Sequence, residues 1–105
     1  FTIMTQEPFG PLVPMLSFKN FDEVIDRANK NDLGLCSYIC TNSMEQAHRA
    51  SELMETGVVA VNTPVVAIAE APFGGIKQTG YGREGGSNAI KDYLNVKYTH
   101  LGIKG

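Results

Sequence analysis

Two short segments of this chain hold an aromatic side chain between residues that specify the backbone. They are residues 7–11 (EPFGP), with Glu7 and Phe9 set among two prolines and a glycine, and residues 72–75 (PFGG), which carry Phe73. Proline fixes φ and glycine permits unusual backbone angles, so the directions of these side chains are set locally. Either aromatic alone could fill a gap in a core. Two such segments in a chain of 105 residues call for a common explanation.

A glycine pattern lies shortly after the second segment. Residues 80–85 (GYGREG) fit G-x-G-x-x-G, the pattern of dinucleotide-binding loops. Such a loop follows a strand and is itself followed, about twenty residues later, by an acidic residue. Here residues 76–79 (IKQT) are polar and turn-like, and the chain ends at Gly105 with no acidic residue in that place. The pattern therefore does not predict a nucleotide-binding domain.

The cysteines and histidines do not form a reactive or metal-binding set. Cys36 and Cys40 lie in an apolar stretch with no neighbouring charge to lower the pKa of a thiol, which favours small core residues over a reactive pair. His48 and His100 share no metal-ligand spacing with each other or with the cysteines. The sequence predicts no catalytic residue and no metal site in this chain.

Composition narrows the classes of partner. The formal net charge is −2 and 43% of the residues are hydrophobic, so there is no basic footprint for nucleic acid. No apolar stretch approaches the length of a membrane span, and the N-terminus lacks the regions of a signal peptide. We expect no nucleic-acid and no membrane partner. A reduced, cytoplasmic compartment is expected, and mitochondria stay open because a transit peptide would lie upstream.

Periodicity and capping signals predict an α/β arrangement that positions these segments. The predicted order is a strand over 12–18, a helix over 20–34, a strand over 35–41, a helix over 43–57 and a strand over 58–61. Asn20 with Glu23, and Ser43 with Gln46, have capping-box spacing at the two helix starts, while Pro14 argues for an edge position of the first strand. Strands alternating with helices indicate a βαβαβ piece of a parallel sheet with right-handed crossovers.

A long loop over residues 62–86 follows, with two prolines and six glycines. A loop of this length inside a compact domain is usually functional or disordered, and its apolar content is too high for a disordered linker. We therefore expect the loop to be ordered against another surface. A short helix over 87–94 and an alternating strand over 96–101 complete the chain.

Three ordered motifs carry a resemblance to the aldehyde dehydrogenase superfamily. Residues 7–11 resemble its E-x-F-G-P motif, and residues 92–98 resemble its closing helix and strand. Between them, Asn62 and residues 72–84 match the family's N…P-F-G-G-x-K-x-S-G-x-G-R-E in order and spacing, with Thr79 where serine is usual. The resemblance covers essentially the whole chain, which is identified as a C-terminal segment of an NAD(P)-dependent aldehyde dehydrogenase.

The resemblance implies roles for individual residues. Glu7 is expected to accept hydrogen bonds from the nicotinamide ribose hydroxyls, and Phe9 to pack beside the nicotinamide ring of NAD or NADP. Phe73 is expected to line the aldehyde funnel, whereas Arg83 and Glu84 look architectural. Residues 1–94 would be part of the catalytic domain. Residues 95–105 would be an oligomerisation strand and tail, which implies a homo-oligomer.

The family's chemistry uses a cysteine thiolate nucleophile, a glutamate that activates water, and NAD(P) as hydride acceptor. The nucleophile, the base and the Rossmann half would lie upstream, so this chain alone is predicted to be inactive. Residues 67–75 and 93–98 are most similar to succinate-semialdehyde dehydrogenases, but Ala67 stands where a serine usually contacts the substrate carboxylate. The alternative hypothesis is a stand-alone, non-catalytic α/β module whose exposed last strand mediates assembly.

Overall fold

The computed structural model describes residues 2–103 and residue 105. Its helices and strands are, in chain order, α1 (Phe21–Asn29), β1 (Leu33–Gly34), β2 (Cys36–Ile39), α2 (Met44–Leu53), β3 (Val58–Val61) and β4 (Ile76–Lys77). Short turns of 3-10 helix lie at Thr2–Met4 and Ala89–Tyr93, the second within the predicted helix over 87–94. In the described part of the chain, no helix is both long and apolar enough to cross a membrane.

The centre of the fold is the β2–α2–β3 unit. β2 and β3 pair in parallel over their full lengths, with Cys36 opposite Val58. Their β-branched and aromatic residues suit strands, and α2 supplies the crossover that parallel strands need. The small core consists of Ile25 from α1, Ala50 from α2 and Ala60 from β3. The predicted α/β class and this strand–helix–strand order are therefore observed.

Side-chain capping starts both helices, as predicted. The Asn20 side-chain oxygen accepts the Glu23 N–H at 3.0 Å, and the Ser43 hydroxyl accepts the Gln46 N–H at 3.3 Å. In a capping box, the Glu23 carboxylate would accept the N–H of Asn20. Here it accepts the N–H of the preceding residue, Lys19, at 2.9 Å. Each cap satisfies a backbone donor that has no partner within the helix.

The helices end before the glycines that were expected to end them. α1 ends at Asn29, well before Gly34, and α2 likewise ends before Gly57. These glycines instead permit a close crossing of backbones. The Gly57 N–H donates to the Gly34 carbonyl at 3.0 Å, and a Cβ on Gly57 would overlap the Gly74 carbonyl. Gly34 and Gly57 therefore serve this crossing and do not end the helices.

The predicted first strand, over residues 12–18, does not form. These residues have no helix or strand assignment, and the side chains of Leu12, Val13, Met15, Leu16 and Phe18 are exposed. A strand needs a neighbouring strand to bond its backbone, and Pro14 has no N–H to offer one. The arrangement is thus βαβ with a separate antiparallel pair, β1 with β4, and not the βαβαβ predicted.

The predicted closing strand over 96–101 also lacks a neighbour in the described part of the chain. Residues 94–103 have no strand assignment, and Val96, Tyr98, Leu101 and Ile103 are exposed. Alternation along the sequence can indicate a strand, but the hydrogen bonds that define a sheet come from a second segment.

The chain exposes far more surface than a self-contained protein of its mass. Its accessible surface is 9,011 Å², against about 5,800 Å² for a folded 11 kDa monomer. Its radius of gyration is 19.5 Å, against about 13 Å for a compact domain of this length. Most of the apolar side chains outside the small core therefore lack cover within this chain.

We predict that the 105-residue chain, purified alone, self-associates or precipitates. Apolar patches much above a few hundred Å² seldom remain exposed on soluble monomers, and here Val65, Ile68 and most of residues 12–18 are exposed. Analytical ultracentrifugation and a thermal melt test this. A clean monomer that unfolds cooperatively would contradict it.

Gly57→Ala should destabilise the protein by roughly 1–3 kcal/mol, because the new methyl group would overlap backbone that cannot move without disturbing β3. Urea unfolding measures the loss. Gly102→Ala is the matched control, since a Cβ there meets no atom within 4 Å. Equal stability of the two variants would show that the crossing is not tight.

Candidate functional site

The long loop begins at the carboxyl end of β3, the edge of a parallel sheet at which ligands usually bind. Its first residue, Asn62, has a positive φ of 56° and continues the pairing of the two strands. The Asn62 N–H donates to the Ile39 carbonyl at 2.8 Å. Its side-chain amide accepts the Thr41 N–H at 3.0 Å and donates to the Thr41 carbonyl at 2.8 Å. Asn62 therefore holds the start of the loop on the sheet.

The middle of the loop returns to the fold through β4. Ile76 pairs with Gly34, and the Thr79 hydroxyl accepts the Gly34 N–H at 2.9 Å. Serine is usual at the Thr79 position in the family motif, and the threonine keeps the hydroxyl acceptor. Its methyl group lies against Gly75, where a Cβ would overlap it. The substitution is therefore compatible with this turn.

Lys77 makes contacts that sequence reasoning did not foresee. Its Nζ donates to the backbone carbonyls of Asn29 at 2.7 Å and Asn31 at 3.1 Å, and it forms an ion pair with Glu55. A cation at the carboxyl end of α1 is favourable because helix carbonyls carry partial negative charge there. The only signal in the sequence was the place of Lys77 in the family motif.

Arg83 and Glu84 hold the second half of the loop, consistent with their expected architectural role. The Arg83 guanidinium donates to the carbonyls of Gly75 at 2.6 Å, Gly82 at 2.9 Å and Tyr81 at 3.1 Å. Glu84 acts through its backbone, which forms a two-way antiparallel bridge with Phe73 at 2.7 and 2.8 Å. Phe73 is thus fixed by its own main chain.

The two residues expected to contact substrate lie together. Ala67 and Phe73 line a depression with a volume of about 330 Å³, completed by Ile68, Ala69, Glu84 and Gly85. Phe73 also lines a second depression of about 670 Å³, on the glycine-rich turns near Arg83 and Tyr93. The smaller depression has an apolar lining in which Glu84 is the one ionisable residue. It suits a carbon chain and offers no cation to an anionic group.

The two residues expected to bind cofactor lie elsewhere. Glu7 and Phe9 stand on an exposed N-terminal segment without regular structure, and neither lines either depression. Phe9 is 96% exposed. Glu7 makes no side-chain hydrogen bond or ion pair within residues 2–103 and 105, so its carboxylate is free to accept hydroxyl donors.

The cysteines are not both core residues as expected. Both thiols are free, but Cys36 is half-buried and Cys40 is exposed. Alternate residues of a strand share a face, so Cys36 lies on the side of β2 that also carries the exposed Tyr38, while Cys40 directly follows β2. A side-chain hydrogen bond with Cys36 raises the pKa of Tyr38. Among the described residues, no group of three or more His, Cys, Asp or Glu side chains could hold a metal ion.

Known proteins are similar to this chain in sequence and in fold. A family model, the Aldehyde dehydrogenase family, matches residues 1–99. The chain is 47% identical over 97 residues to a 3-sulfolactaldehyde dehydrogenase of Pseudomonas putida, covering 92% of this chain and 20% of that protein. It is 41% identical over 101 residues to the NADP(+) succinate-semialdehyde dehydrogenase GabD of Escherichia coli, covering 96% and 21%.

Solved structures of aldehyde dehydrogenases are similar to this chain in fold. The NAD+ complex of an aldehyde dehydrogenase from Bacillus cereus superposes with a TM-score of 0.85 at 41% identity, covering 91% of this chain and 20% of that one. Succinate-semialdehyde dehydrogenase from Burkholderia pseudomallei gives 0.78 at 40% identity, covering 81% and 18%. The chain spans about a fifth of the length of the curated relatives it matches. From its motifs, its fold and these similarities, the chain belongs to the aldehyde dehydrogenase family.

Proposed function

We propose that this chain is the C-terminal part of an NAD(P)-dependent aldehyde dehydrogenase that oxidises a short aldehyde to the carboxylic acid. The observation that carries the proposal is the depression that Ala67 and Phe73 share, which also includes Glu84 of the same family motif as Phe73. In this proposal the chain supplies a wall of the aldehyde site and part of the nicotinamide site, while nucleophile and base come from upstream.

The exposed surface supports an upstream half as the main partner. The excess over a compact monomer is on the order of 3,000 Å², several times the roughly 800 Å² that one partner buries in a standard interface. A single subunit interface of standard size would cover only part of this surface, so we infer that the rest of the same polypeptide covers most of it. The coverage of about a fifth of each relative points the same way.

The cofactor proposal rests on Glu7 and Phe9. A free carboxylate and an exposed aromatic face, two residues apart, have the chemistry to bind ribose hydroxyls and to flank a planar ring. When bound, the nicotinamide supplies the hydride acceptor. One relative is named for NADP(+) and one solved structure is an NAD+ complex, so we propose NAD or NADP without choosing between them.

We predict that Glu7→Gln in the full-length enzyme lowers the rate of hydride transfer roughly 10- to 150-fold, the equivalent of about 1.5–3 kcal/mol for a charge-assisted hydrogen bond. Single-turnover formation of NAD(P)H measures this rate directly. Glu52→Gln, an exposed site on α2, is the control and should leave the rate unchanged. A normal single-turnover rate in Glu7→Gln would remove Glu7 from the cofactor site.

The substrate proposal is an aldehyde with an anionic tail, with succinate semialdehyde as the leading candidate. Relatives are named for 3-sulfolactaldehyde, succinate semialdehyde and glutarate semialdehyde, each of which pairs an aldehyde with an acid group. Ala67 cannot donate a hydrogen bond to that acid, and Glu84 in the same depression would repel it. Upstream cations or backbone donors must therefore pair with the anion.

Comparison of kcat/KM for succinate semialdehyde and butyraldehyde, which have the same number of carbons, tests this substrate class. We expect the acid to be favoured by on the order of a hundredfold or more, because a site built to pair a charged group strongly rejects an analogue that lacks it. Ala67→Ser should widen the difference or leave it unchanged. Equal or reversed preference would exclude the semialdehyde while leaving the aldehyde dehydrogenase activity in place.

The remaining proposals concern assembly. We infer that residues 1–94 belong to the catalytic domain and that residues 95–105 add a strand to the sheet of another subunit, in a cytoplasmic or mitochondrial homo-oligomer. The exposed, alternating side chains of Val96 and Tyr98 support an edge-pairing segment. They equally favour the second candidate, a non-catalytic assembly module. The intact mass of the native protein separates the two, because only the enzyme requires a much longer polypeptide. We expect the 105-residue chain alone to be inactive in an aldehyde oxidation assay, and turnover by it would contradict both candidates.

A further inference from the structure

Two residues other than glycine have a positive φ in the described chain, and both anchor the same loop. They are Asn62 and Lys77, each with a φ of 56°. Asparagine adopts this conformation comparatively often, whereas lysine rarely does. Such backbone persists where surrounding contacts hold it, and it is frequent at functional sites. Between the two anchors lies the segment that carries Ala67 and Phe73.

The contacts of Lys77 explain how its backbone is held. Its ammonium group donates to carbonyls at the end of α1, Asn29 at 2.7 Å and Asn31 at 3.1 Å, and pairs with Glu55, which follows α2. The Lys77 side chain is 25% exposed, and its bond to the Asn29 carbonyl is partly buried, whereas Glu55 is 53% exposed. One side chain therefore ties the loop to the ends of both helices.

The link from Lys77 to Phe73 is short and stiff. The intervening backbone is fixed at Gly74, which crosses Gly57, and at Gly75, whose carbonyl accepts from Arg83 at 2.6 Å. Without the Lys77 contacts, Phe73 is held by the Gly57 crossing, by Arg83 and by its bridge to Glu84, and this run loses its tie to the helices, so the ring gains room to shift. Phe73 lines both depressions, together with Glu84 and Gly85.

We propose that Lys77 is a positioning residue that, together with these contacts, sets the place of Phe73 and thereby affects which aldehydes fit. Lys77 lines neither depression and would not touch the substrate. This inference rests on the proposed aldehyde dehydrogenase activity, and it adds a determinant of selectivity to that activity.

The test is the ratio of kcat/KM for benzaldehyde to kcat/KM for butyraldehyde in the full-length enzyme. The ratio is independent of the fraction of active enzyme, so a purely structural loss does not change it. We expect Lys77→Met to raise the ratio about tenfold, because a displaced wall admits the broader aldehyde and a shift of about 1 Å can change a rate up to a hundredfold. The KM for NAD(P) should stay unchanged.

Three further variants complete the experiment. Lys77→Arg keeps the cation and should restore most of the wild-type ratio. Lys91→Met, whose ammonium donates to the Asn88 side chain, should match wild type. If Lys77→Met does not fold, Glu55→Gln removes the ion pair and leaves both carbonyl bonds, so a smaller rise is expected.

Three results overturn the inference, and they differ in what else they remove. If wild type oxidises both aldehydes and the ratio is unchanged in Lys77→Met, or in Glu55→Gln where Lys77→Met is insoluble, the positioning role of Lys77 is wrong and the proposed activity stands. If wild type oxidises only succinate semialdehyde, the anionic group and not the Phe73 wall decides the fit, so the inference is wrong and the activity stands. If it oxidises none of the three aldehydes, the proposed activity falls and the inference falls with it.

Discussion

The close crossing of three backbone stretches at Gly34, Gly57 and Gly74 is the constraint on which the rest of this structure depends. Side chains are excluded there because a Cβ on any of the three would press on neighbouring backbone. The crossing brings β1, the residues before β3 and the PFGG segment to one point. Thr79 and the β1–β4 pair can bond only because the backbones approach so closely. The place of the Phe73 ring follows from that approach.

Polar contacts to backbone, more than apolar burial, hold the loop of the candidate site. Only small side chains and one isoleucine are buried in the described chain. The loop is instead held by Asn62, Lys77 and Arg83, each of which donates to backbone carbonyls. Carbonyl acceptors hold a side chain in a defined direction. A wall fixed in this way keeps its shape although the apolar side chains beside it, such as Val65 and Ile68, are exposed.

Sequence reasoning succeeded where the deciding interactions are local. The Asn20 and Ser43 caps join residues three positions apart, and β2 and β3 were recognised from short runs of strand-forming residues. It failed for residues 12–18 because a strand needs a partner that no local pattern supplies. Cys40 was expected in a core because its neighbours in the sequence are apolar, but it is exposed. The sequence does not show whether another element covers a given side chain.

By itself, the sequence determined the family, through motifs whose prolines and glycines set the backbone locally, and it predicted Ala67 and Phe73 as candidate substrate contacts. Only the tertiary structure decided that Gly34 and Gly57 serve a crossing and do not terminate helices. Only the tertiary structure also shows that the Lys77 ammonium donates to the carbonyls of Asn31 and Asn29, which lie 46 and 48 positions away along the chain. The physical reason is that hydrogen bonds and close contacts depend on distance in space, and a linear pattern records only distance along the chain.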